Sequence, residues 1–269
     1  MKRLISLILA ITALTVAACT TPRGLQPDDI PTRASLDSLA TAIPLTENAP
    51  PAPFAGTVTS FNSVDNGLTA LSGWRYTVQL DFDGVFADTP REAKASAHAE
   101  VSFNQLGSAR RVLVNTSGEL LGQSEDTAFE AVRLGPDNFL IQNGACSTGS
   151  AAETAAELSA GQLMGGVTRA TPGGRRATIN GEDVYLFTFA QSDLLLPSIR
   201  IGDNGSFTMT SGELWISPTR EAVVRFYLNL DVTNVVIFDR QLPVSGQVRM
   251  RYDLYDVGSE FNITVPFGC

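Results

Sequence analysis

The chain has 269 residues, of which 43% are hydrophobic and 17% are charged, and its formal net charge is −9. This composition is typical of a folded protein with an apolar core and excludes a disordered chain. At roughly 100–200 residues per domain, the length corresponds to one domain or at most two. The excess of acidic residues argues against nucleic-acid binding, because phosphates are bound by basic patches.

The first residues have the pattern of an export signal. Lys2 and Arg3 form a short basic segment, and an apolar run without charges extends from Leu4 to Val16. The run is too short to cross a bilayer, which needs about 20 residues. We therefore interpret residues 1–18 as a signal peptide that is absent from the mature protein.

The signal ends in Val16-Ala17-Ala18-Cys19, which resembles the lipobox of bacterial lipoproteins. The resemblance implies cleavage after Ala18, a diacylglyceryl group on the sulfur of Cys19, and acylation of the new amine of that residue. The alternative is an ordinary signal peptide followed by an unmodified Cys. Thr20 is not the Asp of the usual inner-membrane retention signal. We therefore expect a lipid anchor in the outer membrane, or in the outer face of the cell membrane if the host has only one.

Loss of the signal peptide removes two positive charges and takes the net charge from −9 to −11. Such an acidic surface is not attracted to anionic lipid headgroups. The acyl chains on Cys19 are therefore the expected contact with the membrane, and two or more chains give stable anchoring.

A proline-rich segment follows the lipidated Cys. Residues 20–53 contain seven of the 14 prolines of the chain, and Pro resists regular structure because it lacks an N–H donor and has a fixed φ. A helical turn is predicted within this segment at residues 35–42. We predict that residues 19–53 form a tether and that residues 54–269 form the folded domain.

Most of the domain has the pattern of β-strands. Apolar and polar residues alternate with a period of two, which predicts strands with one buried face. The clearest predicted strands are 74–82, 97–103, 224–230, 248–254 and 261–265. Shorter predicted strands are 111–115, 128–134, 139–142, 184–189, 207–210 and 213–217.

Turns and helices complete the predicted organisation. Asn180-Gly181 is a strong hairpin signal, and Pro172-Gly173-Gly174 and Asp203-Asn204-Gly205 predict further turns. The only clear helix is residues 151–164, which are rich in Ala and precede Gly165-Gly166. A shorter helix is predicted at residues 64–71.

The strands outnumber the helices that could cover them. One polar and one apolar face per strand predict an antiparallel sheet, and the helices are too few to cover its apolar face. The sheet must therefore curl over itself, pack on a second sheet, or enclose an apolar ligand. The residues alone leave these three possibilities open.

Cys146 and Cys269 remain after Cys19 is assigned to the anchor. An exported protein meets an oxidising compartment, where two remaining Cys usually pair. We predict a Cys146–Cys269 disulfide, with two free thiols as the alternative.

The sequence lacks the residues of most catalytic and metal sites. His98 is the only His, and it lies on the polar face of a predicted strand, where a solvated His is the simple interpretation. The chain has no Gly-x-Ser-x-Gly, no Walker A motif and no dinucleotide fingerprint, and too few His and Cys for zinc. A pair of catalytic carboxylates among the 28 acidic residues stays open. We expect no catalytic residues, no cofactor and no metal, so the protein is expected not to be an enzyme.

Several short motifs resemble those of a carrier superfamily that includes LolA, LolB and the mycobacterial LppX/LprG lipoproteins. After the lipobox and the tether come Gly-Trp-Arg-Tyr-Thr-Val at 73–78 and Asn-Gly-Glu-Asp-Val-Tyr at 180–185. Gly-Glu-Leu-Trp-Ile-Ser follows at 212–217, Tyr-Asp-Leu-Tyr-Asp-Val at 252–257, and Ile-Thr-Val-Pro at 263–266. The resemblance extends over roughly residues 60–269.

The resemblance implies an α+β fold that is mainly β. Its sheet is antiparallel and strongly curved, an incomplete barrel, with one or two helices across the concave side. The family binds lipids between the sheet and the helices, so the resemblance implies a lipid or other amphiphile as ligand. We predict that the cavity wall consists of Trp74, Tyr76, Val78, Leu80, Val101, Phe103, Phe226, Leu228, Met250 and Tyr252, each of which could equally be an ordinary core residue.

Three functional hypotheses follow from these observations. The first is a lipid-anchored protein that binds or carries an amphiphile in an apolar cavity. The second is a structural or interaction lipoprotein with a packed core, in which outward aromatic residues such as Tyr227 and Tyr255 contact an unidentified protein partner. The third, an enzyme, would need clustered carboxylates with shifted pKa values in a cleft.

Overall fold

The computed structural model describes residues 48–52, 54–118, 127–237 and 242–269. The predicted signal peptide, Cys19, the helical turn predicted at 35–42 and most of the predicted tether lie outside the described residues. Glu47–Cys269 form one compact unit. No helix in the described part of the chain is long and apolar enough to span a bilayer.

Thirteen strands form a single sheet in the described residues. Their bounds are β1 (Thr59–Phe61), β2 (Gly73–Phe86), β3 (Glu92–Asn104), β4 (Ala109–Gly118), β5 (Thr127–Leu134), β6 (Asp137–Gln142), β7 (Ala145–Ser147), β8 (Gly166–Ile179), β9 (Glu182–Thr188), β10 (Leu194–Leu195), β11 (Ile199–Ser217), β12 (Ala222–Ile237) and β13 (Val244–Tyr255). Two helices follow β7: α1 (Ser150–Ala156) and α2 (Ala160–Met164).

The sheet is antiparallel, curved and open. Its strand order is β1-β8-β9-β11-β12-β13-β2-β3-β4-β5-β6-β7, and β10 pairs with β8. All of these pairings are antiparallel. The sheet is not closed into a barrel. The predicted fold class is therefore confirmed.

The strand register explains why the alternating pattern gives one buried face. Phe226 on β12 lies opposite Tyr252 on β13, which lies opposite Val78 on β2. Leu228, Met250 and Leu80 form the next row in the same way. Because side chains two residues apart share a face, these rows continue one another and form an apolar inner face.

The helices lie on this inner face. Ala152 and Ala156 of α1 and Ala160 and Met164 of α2 are buried and belong to the same apolar core as the sheet residues. The continuous helix predicted over 151–164 is instead broken. The Ser159 hydroxyl accepts a hydrogen bond from the Gln162 N–H at 3.2 Å, and the Gln162 side chain accepts one from the Ser159 N–H at 3.1 Å. This capping box begins a new helix at Ala160.

Three other local predictions are wrong. Residues 64–71 contain only a 3-10 turn at Leu68–Ala70. Pro172-Gly173-Gly174 lies within β8, where the pairing with β9 shifts, and Asp203-Asn204-Gly205 lies within β11, where the pairing with β12 shifts. These residues make irregularities inside long strands, because the partner strand continues the hydrogen bonding on both sides. The two strands predicted at 207–210 and 213–217 are consequently one strand.

The strand predicted at 261–265 is also wrong. Residues 256–269, which we call the C-terminal strap, run across the ends of neighbouring strands without pairing as a strand. The Gly258 N–H donates to the Gly73 carbonyl at 2.8 Å, and the Asn104 amide donates to the Phe261 carbonyl at 2.7 Å. The predicted disulfide between Cys146 on β7 and Cys269 is confirmed, and it fixes the end of the strap to the sheet edge.

The hairpin predicted at Asn180-Gly181 is confirmed between β8 and β9. Ile179 pairs with Glu182, and both turn residues have positive φ, 52° for Asn180 and 86° for Gly181. These angles are what a two-residue hairpin turn of this kind requires. The Asn180 side chain also donates to the Leu254 carbonyl at 2.9 Å, which joins the turn to β13.

Candidate ligand-binding site

The structure brings the ten predicted wall residues together in one apolar core. All of them except Phe103 are buried, and Phe103 is half-buried against the same core. Phe226, Leu228, Met250 and Tyr252 have no exposed surface. That these residues enclose a ligand stays a prediction.

A row of aromatic rings runs along this inner face. Trp74 stacks on Tyr76 and on Phe103, with ring centroids 5.2 Å and 5.3 Å away. Tyr76 in turn contacts Tyr252 at 5.4 Å. The Trp74 indole N–H donates to the Leu68 carbonyl at 3.0 Å, so its polar edge is satisfied. The rings therefore offer large apolar surface at fixed positions.

The helices are tied to the inner face by hydrogen bonds at their junction. The Tyr76 hydroxyl accepts a hydrogen bond from the Ala160 N–H at 3.1 Å and another from Nη2 of Arg110 at 3.3 Å. The same Nη2 donates to the Leu158 carbonyl at 2.6 Å. Burial raises the pKa of Tyr76 to about 12, although the positive charge of Arg110 lowers it. The hydroxyl is therefore neutral at physiological pH.

The Tyr252 hydroxyl differs from that of Tyr76. It is fully buried and has no hydrogen-bond partner among the described residues. Burial raises the pKa of Tyr252 well above its usual range, and the neighbouring Tyr76 and Asp65 raise it further. The inner face therefore contains a neutral phenol whose hydroxyl can both donate and accept a hydrogen bond.

Three polar residues of the inner side were missed by the sequence analysis. Arg110 on β4, Arg133 on β5 and Asn138 on β6 lie in one row across these strands. The alternating pattern could have found them, because each lies two residues from a buried inner-face residue: Val112, Ala131 and Leu140, respectively.

The remaining predicted features of the chemistry lie elsewhere. His98 is half-buried and lies opposite Gln79 and Asn115, on the polar face of the sheet. In the described residues no group of three or more His, Cys, Asp or Glu side chains could hold a metal ion. Three surface pockets of about 340, 380 and 440 Å³ are lined by residues other than the ten predicted wall residues.

No family model matches the chain, and no curated protein matches it. Among solved structures it is similar to LprF from Mycobacterium bovis, with 14% identity and a TM-score of 0.38 over 76% of this chain and 93% of LprF. A putative outer membrane lipoprotein-sorting protein domain from Vibrio parahaemolyticus has 9% identity and a TM-score of 0.22, over 69% of this chain and 84% of that domain. A DUF1329 family protein from Desulfovibrio piger has 8% identity and a TM-score of 0.22, over 77% of this chain and 96% of that protein.

All three structures are distant from this chain in both sequence identity and TM-score. At these TM-scores the similarity supports no conclusion about this chain. We therefore base the proposals below on the residues of this chain.

Proposed function

We propose that this protein is a membrane-anchored envelope lipoprotein that binds or carries a lipid or other amphiphile between its curved sheet and the helices α1 and α2. The observation that carries the proposal is the buried Tyr252 hydroxyl, which has no partner in the described part of the chain. A buried polar group without a hydrogen bond costs about 1–3 kcal/mol. A polar atom of a bound amphiphile would supply the missing hydrogen bond.

The chemistry of the inner face supports an apolar ligand. Burial of apolar surface contributes about 25 cal/mol per Å², and the aromatic and aliphatic rows offer such surface over several strands. Three of the four buried helix residues are alanines, Ala152, Ala156 and Ala160. Because these side chains are small, a shift of the helices away from the sheet breaks few side-chain contacts and makes room for acyl chains.

The proposed location follows from the N-terminal sequence. The lipobox-like end of the signal peptide supports lipidation of Cys19 and an anchor in the outer membrane or the outer face of the cell membrane. Binding and release of an amphiphile need no covalent step, so we propose a role without catalysis, without a cofactor and without nucleic acid. The membrane itself is the proposed partner, through the acyl chains.

The close packing of the inner face favours a second candidate function, that of a structural or interaction lipoprotein. Leu228 and Met250 have no exposed surface, as in an ordinary core. On the opposite face, the guanidinium groups of Arg225 and Arg251 each lie 4.7 Å from the ring centroid of Tyr227. Such a half-buried cluster of aromatic and basic residues suits contact with another protein.

Mass spectrometry of an organic extract tests the proposal. The compact unit of residues 47–269 lacks the acyl anchor, so every lipid in its extract is non-covalently bound. We expect an amphiphile in stoichiometric amount, either from the expression host or after incubation with vesicles of host lipids. The same unit extracted after delipidation serves as the blank. An extract without lipid under both conditions would favour the structural lipoprotein.

A further inference from the structure

A row of polar side chains crosses the inner side of β4, β5 and β6 under helix α1. Arg110 lies directly opposite Arg133, and Arg133 lies directly opposite Asn138. Directly opposed residues of an antiparallel pair place their side chains on the same face, with Cβ atoms about 5 Å apart. Arg110 is buried, with 8% of its surface exposed.

Each member of the row has a buried polar atom that finds no hydrogen-bond partner in the described part of the chain. These atoms are Nε of Arg110, Nε of Arg133 and Oδ1 of Asn138, and the fourth such atom in the described residues is the Tyr252 hydroxyl. Unpaired polar atoms of this kind are rare in folded proteins. Their concentration in a single cross-strand row indicates that the row is completed by a bound group.

The row also carries uncompensated positive charge. Nη1 of Arg110 lies 3.6 Å from Oε2 of Glu157, and Nη1 of Arg133 donates to Oε1 of the same carboxylate. Nη2 of Arg110 donates to Tyr76 and to the Leu158 carbonyl. Two guanidinium groups thus share one carboxylate, and their Nε–H groups stay available.

The row borders a surface pocket at Asn138. This residue lines an open pocket of about 440 Å³ together with Phe139 and Ser150. Asp137 and Glu153 line the same pocket, and their carboxylates repel a free anion that enters it. An anion that belongs to an amphiphile is instead held near the row by the burial of its chains, which raises its effective concentration.

We infer that Arg110, Arg133 and Asn138 form the binding site for the anionic headgroup, a phosphate or a carboxylate, of the amphiphile. This inference rests on the proposed function. The anionic oxygens accept hydrogen bonds from the two Nε–H groups, and a hydroxyl of the headgroup donates to Oδ1 of Asn138. Charge-assisted hydrogen bonds of this kind are the strong ones in proteins.

The test compares two lipids that differ only in the headgroup. Phosphatidylglycerol and diacylglycerol have the same acyl chains here, and one chain of each lipid carries a pyrene label. Each lipid is titrated against residues 47–269, and inorganic phosphate is titrated separately. We expect phosphatidylglycerol to bind about ten- to a hundredfold more tightly than diacylglycerol, the equivalent of one charge-assisted hydrogen bond. Arg133→Gln should remove this preference, and Arg133→Lys should restore part of it.

Two further variants separate the headgroup site from effects on folding. Arg111→Gln is the matched control, because Arg111 is the neighbour of Arg110 in sequence but faces the other side of β4 and pairs with Glu130 at 2.7 Å. It should leave the preference unchanged. Glu157→Gln removes the carboxylate that competes for both guanidinium groups, so it should increase the affinity for phosphatidylglycerol severalfold. A gain of affinity cannot result from unfolding, so this variant decides the matter if Arg133→Gln does not fold.

The outcomes are distinct. Equal binding of the two lipids by the wild-type unit overturns the headgroup site and leaves the proposed function intact. Binding of neither lipid overturns the headgroup site, and an extract that also contains no host lipid overturns the proposed function. Binding of inorganic phosphate as tightly as phosphatidylglycerol assigns the row to free phosphate and overturns its assignment to a lipid headgroup.

Discussion

The hydroxyl of Tyr76, on β2, accepts a hydrogen bond from the backbone N–H of Ala160, the first residue of α2, at 3.1 Å. This contact joins the centre of the sheet to the start of the helix that covers it. Tyr76→Phe keeps the ring and leaves the Ala160 N–H without its partner, so we expect the free energy of unfolding to fall by about 1–3 kcal/mol. Urea titration of both proteins measures the change. Tyr255→Phe, on the opposite face, is the control, and an equal effect of the two substitutions contradicts the role of this contact.

The raised pKa of Tyr76 makes stability depend on alkaline pH. The pKa is about 12 in the folded state and 10.0 for an ordinary Tyr, so the unfolded chain loses the proton first as the pH rises. The contribution to stability is therefore complete below pH 10 and is lost as the pH rises through 12, up to about 3 kcal/mol for this group. Urea titrations between pH 9 and pH 12 should show this fall, and Tyr76→Phe should make it shallower. An unchanged slope in Tyr76→Phe would assign the fall to other groups.

The unpartnered Tyr252 hydroxyl predicts opposite effects of one substitution on stability and on binding. Tyr252→Phe removes a buried polar atom that has no partner among the residues the structure describes, so the free energy of unfolding of the ligand-free protein should rise by about 1 kcal/mol. The same change removes the hydrogen bond proposed for the ligand and should weaken amphiphile binding severalfold. Thermal unfolding after delipidation and a lipid titration measure the two effects. Stabilisation with unchanged binding would show that the hydroxyl does not contact the ligand.

Leu228 distinguishes a cavity wall from a packed core. Leu228→Asp places a charge on the inner face, whereas Asn229→Asp places one on the opposite face of the same strand and serves as the control. If the proposed function is right, Leu228→Asp folds and loses its bound lipid, because the charge faces the cavity. In a packed core, Leu228→Ala alone would lower the free energy of unfolding by about 2–5 kcal/mol, and a buried charge would lower it further. Circular dichroism and lipid extraction report the two results, and lipid binding that survives Leu228→Asp in a folded protein refutes the wall assignment.

The Cys146–Cys269 disulfide should contribute strongly to stability. It joins residues 123 positions apart in the chain, and the loop-closure entropy of such a length corresponds to about 4–5 kcal/mol as an upper value. We expect the double substitution to Ser to lower the unfolding temperature by many degrees and to make the C-terminal strap accessible to carboxypeptidase. The reduced wild-type protein should show the same lower unfolding temperature and the same accessible strap as the double variant. A strap that stays protected in both would show that its hydrogen bonds to Gly73 and Asn104 suffice.

Local patterns in the sequence determined most of the sheet. The alternation around residues 74–82 and 248–254 predicts which residues face inwards, because the side-chain period of a strand is fixed by its geometry. Asn180-Gly181 predicts its hairpin, because few other residue pairs adopt two positive φ angles. Cys146 and Cys269 were predicted to pair from their number and from the expected compartment alone. The sequence alone therefore predicted that the ten candidate residues share one apolar face, whereas their role as a cavity wall stays a prediction.

Contacts between distant segments decided the rest. The alternation of Phe261 and Ile263 resembles that of a strand, but these residues belong to the C-terminal strap. The strap forms hydrogen bonds with the ends of other strands, at Gly73 and Asn104, instead of pairing along one strand. The apparent turn at Asp203-Asn204-Gly205 stays inside β11, because β12 pairs with it on both sides. Arg110, Arg133 and Asn138 lie on three different strands, and no local sequence pattern links them. Only the pairing of β4, β5 and β6 aligns them in one row. The sequence determined which side of each strand is apolar, and the tertiary structure decided which strands are neighbours, because register depends on the partner as well as on the strand itself.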